Sequence, residues 1–476
     1  GTKKRKELFL QSNDKGIADL YDQWIDKKQA LIRLYMKTDD PAGVDTTARQ
    51  QGQQQLQQMQ DEVIKLENEL TQRASGFQQY LHITPPDWKE VQQDLKEDEA
   101  AIEMVRFQWR DKVYYSDTAW YAAYIIRKHS EAPEVVYLPD DAIDLDTRFY
   151  MQYKNSIRMK TEDKQSYLHY WKPIAAKLSG IRKVHFSPDG IYHLINLSTL
   201  VNPETGRYLL DELEIHYTNS GTDIRTRQHD NDIRTAVLVG RPAYKTNDLT
   251  VVKPGENTDR SFVRTFRDSN IPDLPGTEAE VLAIKSELER QRINARSYLQ
   301  DQATEDLMYH LHSPGILHIA THGYWSPAGD DATQGYRVFN AMANSGLLLA
   351  GVVNYYSTLP YPDTYDGILT AYEAENLDLE HTSLVVLSAC ETNLGYLDAG
   401  EGVYGLQRAF RAAGAASIIT SLWKVDDAAT KNFMISFYQQ YLKTKDKQAA
   451  FQYAQKSTRE KYREPLYWGA FVLTGE

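Results

Sequence analysis

The sequence predicts an α/β protein, a mostly parallel sheet flanked by helices and preceded by an N-terminal helical hairpin. Three observations predict it. Residues 1–98 carry their apolar residues at helical three–four spacing. From about residue 99, short apolar runs alternate with helical stretches. Two of those runs, residues 316–321 and 384–387, are almost continuously apolar, the pattern of strands buried on both faces.

The first helix follows Leu20, Tyr21, Trp24, Leu31, Ile32 and Tyr35 and ends in the turn chemistry of Asp39-Asp40-Pro41-Ala42-Gly43. The second carries Leu56, Met59, Val63, Leu66 and Leu70, a seam one helix wide, so the two are expected to pair as an antiparallel hairpin. The Gln-rich run 50–60 reads as a solvated helix face. Pro85-Pro86 breaks the pattern, and a short helix over residues 88–95 leads onward. Residues 101–107, 119–126, 135–138 and 183–186 read as strands, the last followed by the turn Ser187-Pro188-Asp189-Gly190. The polar stretch 225–235 is a boundary. Beyond it, residues 235–240 form a strand, and residues 278–290 an amphipathic helix opened by Pro275-Gly276-Thr277. Gly395, Gly400, Gly402 and Gly405 lack the Lys-Ser/Thr of a phosphate loop and are expected to turn the chain into a helix over residues 403–411.

A chain of 476 residues suggests two to four domains. Its net charge of −12 argues against nonspecific binding to nucleic acid or anionic lipid, which need basic surface. No apolar run reaches the length of a membrane helix. Lys3, Lys4, Arg5 and Lys6 are followed by no apolar core of a secretory signal. The opening Gly-Thr, in place of Met, suggests a piece of something longer. A single cysteine, Cys390, excludes an internal disulfide and points to a reducing cytoplasm.

The chemistry gathers at two strand ends. One apolar strand runs into His322-Gly323 and another into Ser388-Ala389-Cys390-Glu391-Thr392, the places where open α/β sheets collect catalytic groups. An imidazole facing the thiol across a cleft can take its proton, and the backbone N–H groups of Gly323 and Cys390 are candidate oxyanion donors. On residues alone, Cys390 stays open between a nucleophile and a small buried hydrophobe, and His322 between a catalyst and a satisfied structural residue. His318 and His322 are too far apart on a strand, ~13 Å, to share one metal ion. Nothing in the sequence calls for a metal or an organic cofactor.

Several ordered blocks carry a resemblance. They include Leu274-Pro275-Gly276-Thr277 with Glu280, Leu317-His318-Ile319-Ala320-Thr321-His322-Gly323 and Asn344-Ser345-Gly346-Leu347-Leu348-Leu349-Ala350-Gly351. Asp366-Gly367-Ile368-Leu369-Thr370-Ala371, Val385-Val386-Leu387-Ser388-Ala389-Cys390-Glu391-Thr392 and Gly400-Glu401-Gly402-Val403-Tyr404-Gly405-Leu406 follow. Ser421-Leu422-Trp423-Lys424-Val425-Asp426-Asp427 and Tyr467-Trp468-Gly469-Ala470-Phe471-Val472-Leu473 close the set. Over about residues 99–476 the chain resembles the CHAT family, caspase-like and separase-like cysteine peptidases appended to tetratricopeptide repeats. No 34-residue repeat is visible here, so the helices of residues 1–98 stand as the segment that joins repeats to peptidase.

The resemblance implies a caspase-like fold in two halves, an inactive half over 99–230 and an active one over 231–476. It implies His322 as general base and Cys390 as nucleophile of a cysteine endopeptidase, with Glu391 expected to point away from the thiolate. It implies a protein substrate, and a bacterial, cytoplasmic enzyme switched on by a protein or ribonucleoprotein partner through the helical region, as in prokaryotic antiviral defence. The rival is a non-catalytic caspase-like interaction module. Ser388 stands where several Arg/Lys-specific relatives place an acid, and Trp423 and Asp426 stand on the other expected pocket wall. Asp426 is the wall residue that could supply a carboxylate, with Asp427 expected to cap the helix beginning at Ala428. An apolar or small side chain before the scissile bond is therefore expected. The Tyr- and Pro-rich stretch 355–365 is a candidate gate over the cleft.

Overall fold

The structure, a computed structural model, describes residues 16–38, 46–73, 87–111, 114–225, 233–245, 271–325, 345–357, 365–389, 396–398 and 402–475. The apolar stripes close the two N-terminal helices, Gly16–Thr38 and Thr46–Arg73, on each other. Ile17, Tyr21, Trp24 and Leu31 pack with Val63 and Leu70, and Lys27 Nζ meets Glu62 at 2.6 Å across the seam. Gln54, Gln55, Gln57 and Gln58 are exposed, which accounts for the low-complexity run. The turns expected at residues 39–43 and 85–86 lie outside the described residues. Helix Trp88–Asp94 starts at a capping box, with Asp87 accepting from the backbone of Lys89 and Glu90 and Glu90 accepting from that of Asp87.

Sixteen strands are described: β1 (Glu99–Asp111), β2 (Tyr114–Arg127), β3 (Glu134–Tyr137), β4 (Lys183–Ser187), β5 (Glu214–Tyr217), β6 (Thr235–Pro242), β7 (Asn294–Gln300) and β8 (Ile316–Ala320), then β9 (Gly323–Trp325), β10 (Ser345–Leu348), β11 (Ile368–Thr370), β12 (Leu384–Leu387), β13 (Tyr396–Asp398), β14 (Gly402–Tyr404), β15 (Ser417–Ser421) and β16 (Phe471–Gly475). Eleven of them form one sheet, in the order β3-β2-β1-β4-β5-β16-β15-β12-β8-β6-β7. Its neighbours run parallel except β3/β2, β2/β1 and β16/β15. The sheet is thus the mostly parallel one that the strand–helix alternation predicts.

Side chains alternate across the pleat and feed two cores. Leu238, Ile316, Val386 and Ile419 pack beneath helices Pro275–Arg290, Asp427–Thr444 and Lys447–Tyr462. Val239, Leu317, Val385 and Ile418 face helices Ala371–Ala374 and Leu406–Ala412. A third core, with Ile102, Tyr121, Trp171, Phe186 and Tyr192, covers β1 to β5. β16 joins the two groups of strands. It runs antiparallel to β15 and parallel to β5, where Thr474 faces Tyr217, and the Asn196 amide donates to the carbonyls of Gly469 and Phe471 beside it.

Two helices start three residues from where they are expected. Helix Pro275–Arg290 starts at the proline itself, because the first helical turn tolerates a residue without N–H. The helix expected over 403–411 spans Leu406–Ala412. Gly402–Tyr404 is instead β14, paired with β13, and Gly405 is extended (φ −161°) as the N-cap. Much of the expected boundary at 225–235, residues 226–232, lies outside the described residues. Among the described residues, no helix is long and apolar enough to cross a membrane.

Candidate active site

β8 and β12 are hydrogen-bonded neighbours in parallel register, with Leu387 opposite Ile319. The ladder continues one step, as Ser388 N–H donates to Ile319 O at 2.9 Å. His322 follows Ile319 by three residues and Cys390 follows Leu387 by three, so the chain leaves the two strands at matched heights. Adjacent strands are about 4.8 Å apart. Cys390 and Glu391 lie outside the described residues, as does most of the candidate gate. Of that gate, Tyr355 is buried with Val352 and Ile368, and Tyr365 stacks on Tyr309.

His322 is partly buried and held at both ends. Its Nε2 lies 2.9 Å from the carbonyl oxygen of Pro272. A carbonyl only accepts, so Nε2 carries the proton, and in the neutral ring Nδ1 is left with its lone pair. Burial is the largest influence on the ring and lowers its pKa below the ordinary histidine value. Lys424 pushes the same way, while the Pro272 carbonyl and Asp427 oppose it. At neutral pH the ring is therefore neutral and able to accept a proton.

The backbone of His322 is pinned by Tyr244, a buried residue just beyond β6. The Tyr244 hydroxyl accepts from His322 N–H at 3.3 Å and lies 3.0 Å from Thr321 Oγ1. Thr321 spends its own hydroxyl proton on Leu348 O at 2.6 Å, so Tyr244 donates to it. Leu348 N–H also donates to His322 O at 2.9 Å. Gly323 and Leu347 are consequently a non-hydrogen-bonded pair of the β9/β10 ladder, and Gly323 N–H is not consumed by β10.

Beside these strand ends lies a cleft open to solvent, bounded by Gly276, Glu280, Ser388, Ser421, Trp423 and Asp427. Trp423 is fixed by donating to Leu466 O at 2.9 Å. Ser421 donates to the carbonyl of Ala389, the residue before Cys390. The roles expected of the two aspartates are exchanged. Asp426 is the N-cap of helix Asp427–Thr444, with extended backbone and its carboxylate accepting from Ala428 and Ala429. Asp427 is the one on the cleft, leaning over Gly276, where any Cβ would collide with its carboxylate. Ser388 and Trp423 do line the cleft.

His318 is fully buried on β8, with Nδ1 3.2 Å from the Tyr438 hydroxyl. Its Nε2 lies 3.0 Å from Glu280 Oε1 without hydrogen-bond geometry. Among the described residues, no group of three or more His, Cys, Asp or Glu could hold a metal ion. Sequence reasoning missed Tyr244, Pro272 and Thr321 as supports of His322, and Asp427 as a cleft residue. Only Asp427 and Thr321 had a signal, their places within the Ser421–Asp427 and Leu317–Gly323 blocks.

Residues 164–476 match the model of the CHAT domain family, more than half of the chain. Tetratricopeptide repeat protein 28 of Mus musculus is 28% identical over 218 residues, 42% of this chain and 8% of that protein. Its Homo sapiens counterpart is 35% identical over 116 residues, 24% of this chain and 5% of that protein. The chain thus spans only a small part of these relatives. Among solved structures, the Arg-specific cysteine proteinase gingipain R aligns at TM-score 0.36 and 12% identity, covering 66% of this chain and 65% of that one. The separase of the Saccharomyces cerevisiae separase–securin complex aligns at TM-score 0.34 and 11% identity, covering 95% of this chain and 27% of that one.

Proposed function

This chain belongs to the CHAT domain family, and from that premise we propose that it is a caspase-like cysteine endopeptidase acting through His322 and Cys390. The observation that carries the reading is the state of His322, a neutral imidazole at a strand end with Nε2–H spent on Pro272 and Nδ1 left to accept. The parallel register of β8 and β12 supports a facing thiol, since Cys390 follows Leu387 in sequence by the same three residues as His322 follows Ile319.

In this mechanism His322 Nδ1 takes the Cys390 thiol proton, and the thiolate attacks the peptide carbonyl carbon. The oxyanion is held by backbone N–H groups, with Gly323 and Cys390 the candidates. His322 then gives its proton to the leaving amine as the C–N bond breaks, and the acyl-enzyme forms. A water, deprotonated by His322, attacks the thioester, and the thiol leaves with the returned proton.

Control by a protein partner through the helical hairpin completes the proposal. Lys28 of the hairpin lies over the rings of Trp24 (4.3 Å) and Tyr372 (4.7 Å) and pairs with Glu375 at 3.6 Å. Tyr372 begins just after β11, which pairs with β10, and β10 pairs with β9, whose first residue adjoins His322. A partner that shifts the hairpin thus has a short packed route to the base.

Iodoacetamide tests the reading, because Cys390 is the only thiol in the chain. Fast labelling at neutral pH, slowed by His322→Ala, is expected. Slow labelling indifferent to His322 would favour a non-catalytic interaction module. Co-expression with proteins encoded by neighbouring genes should give a cleavage that Cys390→Ala abolishes.

A further inference from the structure

We infer that Arg241 is a positioning residue for His322: by gripping Asp273 it holds the adjoining Pro272 carbonyl on His322 Nε2, and so fixes which ring nitrogen carries the proton. The inference rests on the peptidase reading above and deepens it. None of the contacts that carry it involves Cys390.

β6 and β8 are parallel neighbours, with Gly240 opposite Ala320. Arg241 therefore leaves β6 at the end of the sheet where His322 leaves β8. The two residues Pro272-Asp273 bridge them. Pro272 O accepts from His322 Nε2 at 2.9 Å, and the Asp273 carboxylate accepts from Arg241 Nε at 2.9 Å and Nη2 at 2.6 Å. Such a two-pronged pairing fixes orientation as well as distance. Arg241 Nη1 also donates to Glu278 at 2.7 Å, and its backbone N–H to Thr277 Oγ1 at 2.8 Å. Thr277 in turn donates to Leu274 O at 2.8 Å, so the chain on the far side of Asp273 is tied to the same arginine.

The backbone of Arg241 favours a role for its side chain. Its φ is +44°, in the left-handed region, and it is the extra residue where β6 slips register against β7. Glycine takes that conformation without strain and arginine does not. Strain of this kind persists where surrounding contacts over-determine it. A bulge re-aims a side chain, here toward Asp273 and Glu278.

Exposed ion pairs contribute little as a rule, and Asp273 is 55% exposed. The two-pronged geometry and the shared Glu278 set this pair apart. Packing has little hold on the bridge, since Pro272 and Asp273 are both exposed. The competing support is Ile271, which packs against the cluster of Tyr244, Leu348 and Ile368. Burial, the Pro272 carbonyl, Lys424 and Asp427 are what act on the ring, and two carboxylates meet the guanidinium, so Arg241 works through position and not through charge. A neutral imidazole without that acceptor shares its proton between both nitrogens, and the fraction with Nδ1 free to accept falls.

The test uses the full chain, isotopically labelled at the histidine ring nitrogens and read by NMR at neutral pH, with His322 assigned by its loss in His322→Gln. The wild type should show a slowly exchanging N–H at His322 Nε2 and an unprotonated Nδ1. Arg241→Ala and Asp273→Ala should each abolish that N–H signal and bring the two nitrogens toward a tautomer average. The signals of His169, paired with Asp140 at 2.8 Å, report that the fold is intact. Glu278→Gln loosens the helix start but leaves the grip on Asp273, and should keep the signal; its loss there would assign the effect to the helix and overturn the inference. Retention in either alanine variant with His169 unchanged overturns it, and so does a wild type without a protected Nε2–H. Where Arg241→Ala fails to fold, Asp273→Ala, at an exposed position, decides. Iodoacetamide tests the peptidase reading separately. Labelling of Cys390 should slow several-fold in the same variants. Unchanged labelling beside a lost N–H leaves the grip standing and counts against His322 acting on the thiol.

Discussion

His322 Nε2 donates to the carbonyl oxygen of Pro272 at 2.9 Å, a contact that spans 50 residues of sequence. It sets which ring nitrogen is protonated, while burial and Lys424 lower the pKa of the ring. The neutral form therefore persists below pH 6.5, the ordinary histidine value. The acid limb of Cys390 alkylation, or of peptide turnover, is expected below that pH. Lys424→Ala removes a positive neighbour and should move the limb up, and Asp427→Asn removes a negative one and should move it down. A limb at or above 6.5 in the wild type would contradict this.

Tyr244 supports His322 through one hydroxyl that accepts from its N–H and donates to Thr321. Tyr244→Phe keeps the buried ring and deletes both bonds, at a cost of about 1–3 kcal/mol. Thermal unfolding should show the loss. On the proposed mechanism, cleavage should fall in kcat with KM little changed, because the ring that loses its support acts there as the base and not as the substrate site. An unchanged kcat would show that His322 needs no such brace.

Asp426 and Asp427 are adjacent in sequence and opposite in consequence. Asp426→Ala removes the N-cap of helix Asp427–Thr444 and should cost about 1 kcal/mol of stability. Asp427→Ala leaves the cap intact, and its melting temperature should stay within about a degree or two of wild type, given that exposed substitutions cost within about 0.5 kcal/mol. Equal losses in the two variants would contradict the assignment.

Much of this architecture is legible in the chain. Apolar runs with strand length placed β8 and β12 without reference to tertiary contacts, and His322 lies just past the end of β8; Cys390, past the end of β12, lies outside the described residues. The helical hairpin is legible for the same reason, since three–four spacing reports a buried face. The supports of His322 are not. Tyr244 and Pro272 act through a hydroxyl and a backbone carbonyl, and neither carries a periodicity that marks it. The aspartate exchange was invisible because both residues are good caps and only backbone dihedrals decide which one is extended. The place of β16 is likewise non-local, because period-two burial shows that a strand is covered but not which strands flank it.

That place has a consequence for how the molecule is made. β16 is synthesised after every other strand of the sheet, yet it sits between β5 and β15. Until residues 471–475 leave the ribosome, the two groups of strands have no shared ladder, and β5 and β15 each present an open edge. A translation product broken off before Phe471 would hold β8 and β12 on a split sheet. Synthesis through β16 is thereby built in as a condition for joining the two groups of strands into one sheet.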